Sequence, residues 1–201
     1  MEALQKLLTH ELADLYDAEQ QILKALPTLI DESSSSELQQ ALAQHRTVTQ
    51  KQVRRLDQIF RQLGEERENQ RCKGMAGLIA EGEDVLEEDF EASTMDAGII
   101  GAAQRVEHYE IAAYGTARTL AQTLGLTEIA QLLEESLNEE KEADERLTEI
   151  AESAVNMEAA SEEEQAEDKS SSGNGPSRSK QSTRSKARST RRARRQVKAG
   201  R

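Results

Sequence analysis

An all-α fold, a four-helix bundle followed by a basic tail, is what this sequence predicts, and three observations carry the prediction. Ala, Leu, Glu, Gln and Arg dominate residues 1–160 without runs of β-branched residues, and the chain of 201 residues has 2% aromatics and no Trp. Four long segments repeat apolar residues at steps of three and four, which keeps them on one face of a helix. Each of those stripes is interrupted near its middle by a polar residue able to ligate a metal.

The first helix spans about residues 3–30, with Leu8, Leu12, Leu15, Ile22, Leu26 and Leu29 on one face and Glu19 among them. Pro27 is expected to kink or end its last turns. The run Ser33–Ser36 before Glu37 reads as a turn and N-cap. The second helix then runs to about Leu63 through Leu38, Leu42, Leu56 and Ile59, with His45 as its intruder, and Gly64 is a natural C-cap. The long connection holds a short helix around Met75–Leu86 that turns Met75, Leu78 and Ile79 toward the bundle. Thr94 with Ala97-Gly98 begins the third long helix, which runs to about Leu124 through Ile99, Ala103, Val106, Ala117 and Leu120 and carries Glu107 and Glu110. Gly125 to Thr127 is a tight connection with Thr127 as N-cap. The fourth helix runs from about 127 to 156 through Ile129, Leu133, Leu137, Leu147 and Ile150, interrupted by Glu140 and Asp144. The pattern then stops, dividing the chain into a bundle, 1–157, and a tail, 158–201.

A carboxylate on a buried face is costly unless it is paired or binds a cation. The intruders also share a level. Glu19 lies 11 residues before Ile30 and His45 lies 9 after Ser36; Glu110 lies 14 before Leu124 and Glu140 lies 13 after Thr127. At about 1.5 Å per residue these offsets agree within about one turn. Hard oxygen ligands joined by one or two imidazoles suit iron or manganese, so Glu19, His45, Glu107, Glu110, Glu140 and Asp144 are the expected ligands of a metal centre in the bundle core. The competing reading is that these are unrelated polar residues, satisfied by water or by Lys and Arg. His108 points about 200° away from Glu110 and reads as peripheral; His10 reads as solvated. Tyr16, Tyr109 and Tyr114 lie near the site level, either as donors to ligating carboxylates or as ordinary core.

Charge is divided along the chain, the tail itself being first acidic, then basic. All 38 acidic residues lie in 1–168 with 14 of the basic ones, a net of −24, whereas 169–201 carry 12 basic residues and no acid. The tail is expected to be disordered when free, since it lacks the apolar content for a core. Its basic run, Arg184, Lys186, Arg188, Arg191, Arg192, Arg194, Arg195 and Lys198 within 178–201, suits non-specific, salt-dependent binding to DNA or RNA. With no aromatics it offers no stacking platform for bases. The alternative partners are the protein's own acidic bundle or that of a neighbouring subunit, or the run is a spacing tail with no specific partner. No apolar run approaches the roughly 18 residues that span a membrane, and the N-terminus has no signal-peptide layout. The single Cys72 agrees with a reducing compartment and reads as a small buried residue. A cytoplasmic protein without a membrane partner is expected.

The segments ELADLYDAEQQILKALP, QHRTVTQKQVRRLDQIF, CKGMAGLIAEGEDVLEE, DAGIIGAAQRVEHYEIAAYGTARTLAQTLG and LLEESLNEEKEADERLTEIA closely resemble the YciE/YciF family, stress-associated bacterial and archaeal proteins. The resemblance covers about residues 3–155. It implies a ferritin-like four-helix bundle, a homodimer, and a rubrerythrin-like dimetal site handling peroxide or oxygen. One departure follows His45. Family members carry carboxylates there in a stretch like HLEET, and this chain has Arg46, Thr47, Val48 and Thr49. The fourth helix also lacks a Glu-x-x-His motif. Two ions per chain, one ion, and a vestigial site are the readings left open. A non-enzymatic dimeric scaffold tethered to nucleic acid by the tail is the alternative function.

Overall fold

The computed structural model describes residues 2–67 and 69–162; the basic tail and its eight candidate nucleic-acid residues lie outside them. The described residues form helices and no strand: α1 (Glu2–Glu32), α2 (Ser36–Leu63), α3 (Lys73–Glu87), α4 (Ala92–Thr123) and α5 (Thr127–Ile150). The four long helices form a bundle in which α1 packs on α2 and α4, and α5 packs on α4 and α2; α3 lies across α4 and α1. Short turns make α1–α2 and α4–α5 antiparallel pairs.

Two apolar clusters fill the bundle, one above the other. One joins Leu8, Leu12 and Leu15 to Leu56, Ile59, Tyr114, Ala117, Ile129 and Leu133. The other joins Ile22 and Leu26 to Leu38, Leu42, Met75, Ile99, Leu147 and Ile150. The order in which each helix meets them fixes its direction: α2 and α4 run one way, α1 and α5 the other. Between the clusters lies a band of buried polar side chains, Glu19, His45, Thr49, Gln52, Glu107, Glu110, Ser136 and Glu140.

Local chemistry sets the turns. The Ser35 hydroxyl caps α2 by accepting from the Leu38 amide at 3.4 Å. The buried Asp96 carboxylate of α4 accepts from the Ser34 and Ser35 amides at 2.7 and 2.8 Å, tying the α1–α2 turn to the bundle. Gly64, at φ 68°, closes α2 in the left-handed region expected of a C-cap glycine. Pro27 neither ends nor shortens α1, which continues to Glu32; packing of Leu26, Leu29 and Ile30 in the lower cluster outweighs the missing amide. Thr127 is not the N-cap of α5. Gly125 leaves α4 at φ 75°, and Leu126 takes the cap position, its carbonyl accepting from the Ala130 amide. Past Ile150 the chain makes a π-helical turn, Ala151–Val155, whose Val155 is buried in the lower cluster. Helical geometry then continues to 162, beyond the point where the apolar pattern stops.

Candidate metal centre

The mid-bundle band converges on one spot. One ligand atom from each of His45, Glu107, Glu110 and Glu140 can be chosen so that all lie within 4.8 Å of one another. Steps of three on α4 bring Glu107 and Glu110 to the same face on adjacent turns, α2 supplies the imidazole, and α5 supplies Glu140. All four are buried. His45 Nε2 lies 3.4 Å from Glu107 Oε1. Glu19 flanks this set from α1: it is buried, its carboxylate accepts from the Tyr114 hydroxyl, and its charge raises both Glu107 and Glu110.

Asp144, the sixth expected ligand, stands apart. It is only partly buried, accepts from Gln104 Nε2 at 3.0 Å, and lies 3.3 Å from the exposed His108. One turn beyond Glu140 on α5, it has rotated far enough to face α4 at the bundle edge. His108 is peripheral, and His10 is exposed beside Gln70. The tyrosines divide. Tyr114 is fully buried on Glu19, Tyr109 donates to Asp14 at 2.6 Å, and Tyr16 carries the Arg67 guanidinium 3.7 Å over its ring.

Gln52 is the residue that the sequence reading missed. It is fully buried and its amide donates to Glu140. The signal was present: His45, Thr49 and Gln52 follow Leu42 at steps of three and four, so the polar break in α2 is two turns long. Val48, where a carboxylate was expected, is half-buried and lines a cleft between α2 and α5 that reaches His45 and Glu107. Arg55, one turn past Gln52, binds Glu139 at 2.8 Å and Ser136 at 2.7 Å, pinning α2 to α5 beside the site.

Electrostatics is dominated by burial. Removal from water, then the neighbouring carboxylates, hold Glu19, Glu107 and Glu110 well above the ordinary range; burial raises Glu140 to about 7. Burial lowers His45 to about 4, leaving a neutral imidazole with a free lone pair. Both Glu110 oxygens, one oxygen each of Glu19, Glu107 and Glu140, and His45 Nε2 lack a hydrogen-bond partner among the described residues. Orphaned acceptors in such number are rare in native cores. A divalent cation would satisfy them together, and a set of carboxylates with one imidazole matches iron or manganese.

Comparison with known proteins identifies the family. A family model described as a domain of unknown function (DUF892) matches residues 3–160. The chain is 41% identical over 160 residues to protein YciF of Escherichia coli (strain K12), covering 79% of this chain and 96% of that protein. The crystal structure of the E. coli stress protein YciF superimposes with a TM-score of 0.75, covering 78% of this chain and 99% of that one. YcfI from Rhodopseudomonas palustris, 44% identical, superimposes with a TM-score of 0.70 over 72% of this chain and 92% of its own. Matched along almost the whole bundle in sequence and in structure, the chain belongs to the DUF892 family, that of YciF.

Proposed function

We propose that this bundle is a ferritin-like metal protein that binds iron or manganese and handles peroxide or oxygen. The observation that carries the reading is the cluster of His45, Glu107, Glu110 and Glu140, whose ligand atoms lie within 4.8 Å and are largely without partners. Glu19 joins them as the ligand from α1, and Asp144 serves as an outer carboxylate. When bound, the metal supplies one-electron redox steps and a Lewis acid. The protein's own groups do the rest. The Gln52 amide holds Glu140, and the Tyr114 hydroxyl holds Glu19, so both carboxylates present a fixed free oxygen. The apolar clusters above and below shield the band from water on those two sides, which strengthens the charge interactions within it. Iron-loaded protein is expected to consume hydrogen peroxide faster than the same iron free in buffer. Equal rates would contradict the redox half of the proposal.

A second reading rests on residues 169–201, whose net charge of +12 follows in sequence a segment of opposite sign. They tether a cytoplasmic homodimer to DNA or RNA through phosphate contacts. In a gel-shift salt series, the intact chain is expected to retard DNA at low salt and a chain ending at 168 is not. No shift for the intact chain contradicts this reading.

A further inference from the structure

The centre is open to a cavity much larger than its proposed small oxidants need. A volume of about 650 Å³ lies between α1, α3 and α4, with His45 and Glu107 at its floor. Organic-ligand sites fall in the range of about 300–1,000 Å³, whereas a molecule the size of water or peroxide occupies about 30 Å³. Its walls are Ile22, Leu26 and Leu42 on one side and Ile79, Leu86 and Val106 on the other. Its rim mixes Lys24 and Arg71 with Asp17 and Glu83, so the mouth selects no sign of charge.

The cavity is held open by its own architecture. α3 is clamped on α4 at both ends by glycines. A Cβ on Gly74 would come within 2.7 Å of the Tyr109 ring, and one on Gly98 would lie 2.7 Å from Val85 Cγ1. Close contact there sets α3 against α4 and leaves the gap on the α1 side. Exposing apolar walls to water is unfavourable by about 25 cal/mol per Å², and an apolar occupant recovers that. A second cleft, about 350 Å³ between α2 and α5, reaches the same His45 and Glu107. It is rimmed by Glu37, Glu139 and Glu142, with Arg146 the lone base. Only the first is built for a hydrocarbon.

We infer that the α1–α3–α4 cavity binds an aliphatic molecule with a small uncharged terminal oxygen group, an alkyl hydroperoxide or the corresponding alcohol. The chain lies along Ile22, Leu26 and Ile79, and the oxygen end sits at His45 and Glu107. The inference rests on the metal reading for its floor and specifies the class of peroxide that reading takes.

The test uses 1-decanol and the full chain loaded with Mn(II). Calorimetry measures binding, and NMR measures broadening of the decanol protons by the bound ion. Saturable binding is expected, with the CH2OH protons broadened far more than the terminal methyl. Ala25→Trp, which fills the wall between Leu26 and Ile22, is expected to weaken decanol by about tenfold or more while metal content stays the same. Val48→Phe, in the other cleft, is expected to leave decanol affinity unchanged. No saturable binding overturns the inference, as does broadening equal at both ends. If Mn(II) fails to bind, the metal reading falls, and decanol binding to the metal-free protein still decides the cavity.

Discussion

Gln52 carries no charge, yet it fixes one oxygen of the buried Glu140 carboxylate. Its amide occupies one carboxylate oxygen and leaves the other without a partner. Gln52→Leu keeps the volume and removes the donor, so metal affinity is expected to drop by about 10–100-fold; a competitive metal titration measures this, and unchanged affinity would show that Gln52 positions nothing. Titration of the same band sets a pH signature. Glu140, raised from 4.5 to about 7, keeps a proton that the unfolded chain has released. The stability it lends is full below 4.5 and is lost as pH rises through about 7. Glu19, Glu107 and Glu110 act in the same direction. His45 acts oppositely: its folded value near 4 gives stability present above 6.5 and lost as pH falls through 4. Metal-free protein is therefore expected to melt several degrees lower at about pH 8.5 than at about pH 6, a comparison made by calorimetry; a higher melting point at alkaline pH would contradict the carboxylate shifts. Glu19, His45, Glu107, Glu110 and Glu140 were legible as intruders in apolar stripes because burial is a matter of helical phase. Asp144 lies apart from the other five because a step of four advances about 400°, some 40° past a full turn, which turns this stripe-edge residue toward Gln104 and His108 of α4.

At the scale of elements, the turn between α1 and α2 depends on a side chain from α4. Asp96→Ala removes the acceptor of two amides, and a loss of about 1–3 kcal/mol is expected in urea unfolding; no loss would mean water replaces it. Gly98→Leu drives a side chain into Val85 and is expected to cost about 1–3 kcal/mol by overpacking, read in the same assay, with a variant as stable as the parent counting against the α3–α4 clamp. The long helices were readable because their apolar period extends over many turns. Their ends were less so. Whether Pro27 ends α1 depends on packing of Leu29 and Ile30, and whether Thr127 caps α5 depends on how Gly125 turns the chain. Neither is a property of the local residues alone.

For the whole molecule, a polar band between two apolar clusters is a costly way to build a core, and a bound cation would offset that cost. An ion at about 100 times its dissociation constant stabilises the fold by about 2.7 kcal/mol, so the pH-dependent loss above is expected to be largely reversed by loading. Fold and family were legible from the chain, since bundle patterning and the segment DAGIIGAAQRVEHYEIAAYG extend over whole elements. The cavity under α3 was not, because a void is defined by what five separate segments fail to fill. Whether the band holds a metal is tested most directly by elemental analysis of the iron-loaded, dialysed protein beside Glu110→Ala/Glu140→Ala. Bound iron is expected in the intact chain and is expected to be lost in the double variant; iron-free protein in both, with the fold intact by circular dichroism, would contradict a metal site here.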